Sequence, residues 1–146
     1  MSQTTQNFFT PDTNEIGSTV LIFSSDGSFI DHHRAILLSI GFVPITVHTL
    51  EAALAILRVM APELAIVDEG VGAVDIQRIL KRAAENGQNV PVLIVGSGAD
   101  AELGIQAIEV GSASYLNRPA FQDDVVRALL AHCDHCGHPL WGPEQN

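Results

Sequence analysis

Pro62-Glu63-Leu64-Ala65-Ile66-Val67-Asp68-Glu69-Gly70 is an apolar run that ends abruptly in two carboxylates and a glycine. The four apolar residues Leu64 to Val67 are too few for a helix and lie between a proline and a glycine, so they predict a strand covered on both faces. Asp68 then stands at the carboxyl end of that strand, where ligands and reactive groups gather in open parallel sheets. Taken alone, an aspartate here more often caps the following turn, so the rest of the chain must decide its role.

Length and composition predict one well-buried domain in the cytoplasm. The chain has 146 residues and is 47% hydrophobic, which suits one domain of ordinary size. Its apolar runs are too short to cross a membrane, and its start has neither a basic segment nor an apolar signal core. Seven basic residues against 17 acidic ones give a net charge of -10, which repels phosphate backbones. We therefore expect no membrane binding and no direct nucleic-acid binding.

Strands and helices alternate along residues 18–131, between a polar leader at 1–17 and a tail at 132–146. This alternation predicts a doubly wound α/β domain, in which a parallel sheet carries helices on both faces. The five predicted strands are Val20–Phe23, Phe42–Val47, Leu64–Val67, Val90–Val95 and Ser114–Asn117. The five predicted helices run from the Ser24–Ser28 loop to Ile40, from Leu50 to Met60, from Asp75 to Asn86, from Asp100 to Val110 and from Gln122 to about His132.

Four motifs in this region occur in an order that resembles the receiver domain of two-component response regulators. They are the apolar strand that ends in Asp68, the strand opened by Pro91, the Gly111-Ser112-Ala113-Ser114-Tyr115-Leu116 segment and the Arg118-Pro119 pair. The resemblance implies a flavodoxin-like, five-stranded parallel sheet in the order 2-1-3-4-5. It also implies that Asp68 occupies the phosphoacceptor position.

The positions around Asp68 depart from the pattern of the family. Receiver domains usually hold Mg²⁺ with two acids after the first strand, but Ser24 and Ser25 stand there and only Asp26, one residue later, carries charge. A hydroxyl is a poor, neutral ligand for a hard cation, so we expect Asp26 and Asp68 to hold Mg²⁺ weakly, if at all.

Further departures concern the residues that contact the phosphoryl group. Gly96, with Ser97 beside it, replaces the usual hydroxyl residue after the fourth strand, and Arg118 replaces the usual lysine. Tyr115 matches the aromatic residue that changes rotamer in the family, although plain core packing explains it equally well. In the absence of Mg²⁺, a direct Asp68 to Arg118 pair would hold the switch in one state; the equal alternative is that Arg118 points to solvent.

These observations predict an atypical receiver that acts through protein–protein interaction and is not an enzyme. Its partners would be a histidine kinase, a phosphotransfer protein or an output protein, and the fourth and fifth predicted helices would form a surface for a dimer or for a partner. Acidic residues on this side predict a basic partner and association that weakens with salt. The acidic residues of these two helices are Asp100, Glu102, Glu109, Asp123 and Asp124.

The alternative function is a metal-responsive or small-molecule-binding regulator on the same fold.

Two groups of histidines and cysteines are further candidate sites. Cys133 and Cys136 have the spacing of a zinc knuckle, which His138 or a neighbouring histidine, His132 or His135, would have to complete. Two thiolates supply only half of a tetrahedral site, so we expect weak zinc binding, and reduced cysteines at a frayed helix end are the alternative. The pair His32 and His33 opens the first helix and would suit a pH-sensing or phosphotransfer role, but a solvated helix face is the simpler interpretation.

Overall fold

A computed structural model describes residues 18–85, 89–97, 113–117 and 120–131. The predicted leader, the predicted helix from Asp100 to Val110 and the cysteine-containing tail lie outside these residues. The described elements are β1 Thr19–Phe23, α1 Gly27–Ser39, β2 Val43–Val47, α2 Leu50–Val59, β3 Leu64–Asp68, a 3-10 turn Glu69–Val71, α3 Ala73–Ala83, β4 Val92–Gly96, β5 Ala113–Asn117 and α4 Gln122–Ala131.

The five strands form one parallel sheet in the order β2-β1-β3-β4-β5, which confirms the predicted fold. All five residues of β1, β3 and β4 are buried, as expected of strands with neighbours on both sides and helices on both faces. β2 is an edge strand and is largely half-exposed. Pro44 is tolerated there because an edge strand need not donate every backbone hydrogen bond to a ladder.

Alternation along the strands divides the interior into two cores, one on each face of the sheet. The first core packs under α2 and α3, and it includes Leu21, Phe23, Ala65, Val67, Val92, Ile94, Ala113, Ile76, Ile79 and Leu57. The second core packs under α1 and α4, and it includes Val20, Ile22, Leu64, Ile66, Leu93, Val95, Ile30, Leu37, Val125 and Leu129. A residue at the end of a strand therefore lies on one of these two sides of the sheet, according to its place in the alternation.

Polar side chains and one glycine set the ends of the helices. The Asp26 carboxylate accepts a hydrogen bond from the Ser28 amide and caps α1. Thr49 caps α2, since its hydroxyl accepts from the Ala52 amide at 3.2 Å. Gly41 adopts a φ of 91° just after α1, a conformation that favours glycine and ends the helix.

Two elements, β4 and α3, have a boundary that differs from the predicted one by more than one residue. β4 begins at Val92 and not at Val90, because Pro91 has no N–H to donate and the Val90 amide donates instead to the Ala83 carbonyl at 2.8 Å. α3 begins two residues before the predicted Asp75 and ends at Ala83. No helix within the described ranges is long and apolar enough to cross a membrane.

Candidate functional site

Asp68 is the last residue of β3 and lies at the centre of the carboxyl edge of the sheet. It continues the alternation of Leu64 and Ile66, so its side chain emerges toward the α1 and α4 face. Only 4% of Asp68 is exposed, and Ser24, directly after the neighbouring strand β1, is fully buried. The parallel register of β1 and β3 places these two residues side by side.

Both carboxylate oxygens of Asp68 accept hydrogen bonds from nearby donors. The Ser24 hydroxyl donates to Oδ2 at 2.7 Å, and the Gly70 amide donates to Oδ1 at 2.9 Å. Bonds to a charged acceptor are stronger than bonds between neutral groups, and burial strengthens them further. The Asp26 amide donates to the Ser24 oxygen at 2.9 Å, which orients the hydroxyl toward Asp68. Ser24 and Gly70 therefore each supply a hydrogen-bond donor to a different oxygen of the Asp68 carboxylate.

The three acid-pocket positions lie in different surroundings. Ser24 makes the contact just described, whereas Ser25 is exposed. Asp26 is also exposed, and its Oδ1 accepts from the Ser28 amide at 3.0 Å and from the Ser28 hydroxyl at 2.9 Å. The one acid that could replace the missing pair is thus directed along α1, as its place one residue further along the loop predicts.

The described residues do not fit the Mg²⁺ site that the resemblance implies. A hard divalent cation selects several oxygen ligands, with carboxylates to balance its charge. Among the acids near this edge, Asp26 accepts a hydrogen bond that caps α1, and Glu69 accepts one from the Ser97 amide. The carboxylate that accepts from Ser24 is that of Asp68. Within the described ranges, no group of three or more histidine, cysteine or acidic residues is arranged to hold a metal ion.

Glu69 follows Asp68 directly, but its side chain contacts residues of β5 and of the segment after β4. Its Oε1 accepts from the Ser97 amide at 2.9 Å and from the Tyr115 hydroxyl at 2.9 Å. The carboxylate lies over Gly96, where an added Cβ would overlap Oε1 and stand 2.5 Å from the Cβ of Glu69. Glu69 can lie there only because residue 96 has no side chain.

Gly96, Ser97 and Tyr115 can be identified from the sequence, but Glu69, which joins them, cannot. Gly96 was interpreted as the loss of a hydroxyl, whereas in the structure it makes room for Glu69. The available signal was the combination of a glycine at this position with an extra acid directly after Asp68. The contact depends on the alignment of β3 with β4 and β5, which no local pattern in the sequence reveals.

Several predicted site residues lie outside the described ranges. They include Arg118, so the Asp68 to Arg118 pair stays a prediction. The proposed zinc ligands Cys133, Cys136 and His138 also lie outside, as do His132 and His135.

The histidine pair of α1 is not simply a solvated helix face, so that interpretation is wrong for His33. Only 2% of His33 is exposed; its ring packs on Phe29 at 4.1 Å between centroids, and its Nδ1 donates to the Phe29 carbonyl at 2.8 Å. His32 is exposed, but its Nε2 donates to the Ala120 carbonyl at 2.6 Å. Both rings stabilise the packing of α1. The helical spacing of Ile30, His33 and Leu37 places His33, but not His32, on the buried side of the helix.

A shallow cleft of about 250 Å³ runs between β5 and α4. We call its surface the β5–α4 face; its residues are Leu93, Ser114, Tyr115, Leu116, Asp124, Arg127 and Ala128. Asp124 caps the start of α4 by accepting from the Phe121 amide at 2.8 Å, and it also pairs with Arg127 at 3.4 Å. Tyr115 thus belongs both to this face and to the Glu69 contact.

No protein-family model matches the chain. Among curated proteins, it is similar to the photosynthetic apparatus regulatory protein RegA of Rhodovulum sulfidophilum, with 31% identity over 138 residues that cover 90% of this chain and 71% of the relative. RegA of Rhodobacter capsulatus is 29% identical over the same shares of both chains.

Solved structures of receiver domains share the fold at low sequence identity. A receiver domain protein from Methanospirillum hungatei matches with a TM-score of 0.70 and 19% identity, over 81% of this chain and 94% of that one. The receiver domain of a putative LuxO repressor from Vibrio parahaemolyticus matches with a TM-score of 0.69 and 18% identity, over 81% and 91%. An adenylate cyclase structure from Rhodopirellula baltica matches with 0.69 and 20%, over 83% and 90%. With the parallel sheet and the placement of Asp68, these similarities show that the chain belongs to the response regulators and is a receiver domain of two-component signalling.

Proposed function

We propose that this protein is an atypical cytoplasmic receiver that signals by binding protein partners, with Asp68 held by internal hydrogen bonds and not routinely phosphorylated. The observation that carries this proposal is the 2.7 Å hydrogen bond from the buried Ser24 hydroxyl to Asp68. In this proposal the domain is a binding module and not an enzyme.

The chemistry of Asp68 supports this interpretation. Phosphorylation would require a carboxylate oxygen to attack a phosphoryl donor, which places two negatively charged groups in contact, so the site must offset that charge. Ser24 and Ser25 supply hydroxyls where two acids would gather a cation, and Asp26 is engaged as a helix cap. An attacking Asp68 would also have to give up a short, buried hydrogen bond from Ser24.

The β5–α4 face is the surface through which we propose that partners bind. Tyr115 and Leu116 contribute half-buried apolar area, and Asp123 adds exposed negative charge at the start of α4. Suitable partners are a histidine kinase, a phosphotransfer protein, an output protein or a second copy of the chain. A protein partner with basic residues would bind more weakly as salt screens this charge.

Labelling with acetyl phosphate tests the proposal. The unmodified protein, the Ser24→Asp/Ser25→Asp variant and the Asp68→Asn variant would each be incubated with acetyl phosphate and Mg²⁺ and weighed intact by mass spectrometry. We expect little phosphoryl adduct on the unmodified protein and more on the double variant, because the restored acids can gather a cation. Asp68→Asn, introduced into the double variant, should remove the adduct.

Ready labelling of the unmodified protein, abolished by Asp68→Asn, would contradict the proposal. Thermal unfolding of the double variant checks that a second buried acid beside Asp68 leaves the fold intact. If it does not, Ser25→Asp alone provides the test, because residue 25 is exposed and tolerates the charge.

A further inference from the structure

We infer that Glu69 is a positioning residue that fixes Tyr115 and couples the turn after Asp68 to the β5–α4 face. The inference rests on the proposed function in one respect only, namely that partners bind to the β5–α4 face. The coupling itself rests on contacts between described residues. Those contacts join the carboxyl ends of β3 and β4 to the middle of β5.

The first observation is that one carboxylate oxygen receives two donors from two different strands. Glu69 Oε1 accepts from the Ser97 amide, directly after β4, and from the Tyr115 hydroxyl on β5, each at 2.9 Å. Two bonds to a single charged acceptor hold it more firmly than either donor would alone. The Tyr115 ring is half-buried and packs against the core under α2 and α3, so its hydroxyl has a defined direction.

The second observation is that the chain leaves space for this arrangement. A Cβ on Gly96 would stand 2.5 Å from the Cβ of Glu69, a separation that real side chains do not tolerate. Because the overlap involves the Glu69 Cβ as well as its flexible carboxylate, a rotation of the carboxylate alone would not relieve it. Gly96 and the position of Glu69 are therefore interdependent.

The third observation links this contact to Asp68. The Gly70 amide donates to Asp68 Oδ1 at 2.9 Å, and Gly70 lies within the same 3-10 turn as Glu69. A change in the Asp68 carboxylate that released Gly70 would move this three-residue turn, and Glu69 with it. The route from Asp68 to Tyr115 is thus a short series of bonded and hydrogen-bonded groups, which is the kind of contiguous connection that can carry coupling.

A double-mutant cycle between Glu69 and Gly96 tests the arrangement directly. We would measure urea unfolding of the unmodified protein, Gly96→Ala, Glu69→Gly and the double variant. We expect Gly96→Ala to raise the unfolding equilibrium constant at least about tenfold when Glu69 is present, and to change it much less in the Glu69→Gly background, which lacks the Cβ as well as the carboxylate. Equal effects of Gly96→Ala in both backgrounds would show that Glu69 does not lie over Gly96 and would overturn the inference.

The ring signals of Tyr115 provide a readout that a purely structural role of Glu69 would not move. Tyr115 is the only tyrosine of the chain, so ring-labelled tyrosine gives a single set of NMR signals. We expect Glu69→Ala to shift these signals and to speed hydrogen exchange at the Ser97 amide. Glu69→Gln keeps an acceptor oxygen at the same place and should largely restore both. Glu51→Ala, a matched change at an exposed glutamate of α2, should leave both unchanged.

Unchanged Tyr115 signals in Glu69→Ala would contradict the positioning role. The double-mutant cycle and the labelling experiment give independent results. Ready phosphorylation of Asp68 would overturn the proposed function but would leave the coupling between Glu69 and Gly96 valid. Conversely, an additive cycle would remove the coupling while leaving the low reactivity of Asp68 intact. The two results therefore separate the two proposals.

Discussion

Two consecutive carboxylates, Asp68 and Glu69, serve opposite halves of the same sheet edge. Asp68 emerges toward α1 and α4 and is satisfied by close neighbours, the Ser24 hydroxyl and the Gly70 amide. Glu69 emerges on the other side and reaches across to β4 and β5, where it receives Ser97 and Tyr115. Asp68, which the family resemblance identifies, is thus held by near neighbours. Glu69, which the resemblance does not identify, makes the contacts to the more distant strands.

The largest expected effect concerns the Asp68 half of this comparison. Ser24→Ala would leave a buried, charged oxygen without its hydroxyl donor and would also remove the acceptor of the Asp26 amide. We expect the free energy of unfolding to fall by about 1–3 kcal/mol, the usual cost of a buried group that loses its partner. Urea unfolding measures it.

Ser25→Ala is the matched control for Ser24→Ala. Residue 25 is exposed, and we expect its change to alter stability by less than about 0.5 kcal/mol. Equal effects of the two substitutions would show that the bond between Ser24 and Asp68 is unimportant and would remove the contrast between the two halves.

The next effect concerns the Glu69 half. Tyr115→Phe removes only the hydroxyl that donates to Glu69 and keeps the ring that packs under the sheet. We expect a loss of about 1–1.5 kcal/mol, since the acceptor is charged but the site is partly exposed to water. The same substitution in the Glu69→Ala background should cost almost nothing. A similar cost in both backgrounds would assign the effect to packing and not to the contact.

The smallest effect tests whether Asp26 belongs to the Asp68 pocket or to α1. Asp26→Ala removes a helix cap and should cost about 1 kcal/mol, whereas Asp26→Asn keeps a good capping side chain and should cost little. Thermal unfolding of both variants measures the difference. If Asp26→Asn is as damaging as Asp26→Ala, the charge of Asp26 matters for more than capping, and the pocket is larger than the Ser24 contact.

The fold was predictable because its signals are local and repeated. β1 and β3 are short apolar runs bounded by polar residues, and each is followed by a segment with helical spacing. Such alternation leaves few topologies besides a doubly wound parallel sheet. The errors at Val90 and Asp75 concern boundaries, where a proline or a glycine shifts an element by two residues and leaves the topology unchanged.

The site was predictable only in part, because its position depends on one strand and its contacts depend on several. Asp68 follows from the end of β3, and Ser24 follows from the matching end of β1. Glu69 was not identified, since its partners Ser97 and Tyr115 are 28 and 46 residues away and meet it only through the strand order. Helical spacing indicated that His33 is buried, but the usual exposure of histidine favoured the opposite interpretation.

A Mg²⁺ titration tests the central claim most directly, namely that Ser24 and not a cation holds Asp68. The backbone amide signals of Gly70 and Ser25 would be followed by NMR as Mg²⁺ is added to the unmodified protein and to the Ser24→Asp/Ser25→Asp variant. The account predicts no saturable shift for the unmodified protein at millimolar Mg²⁺ and a saturable shift for the variant. A saturable shift of Gly70 in the unmodified protein, lost in Asp68→Asn, would contradict it.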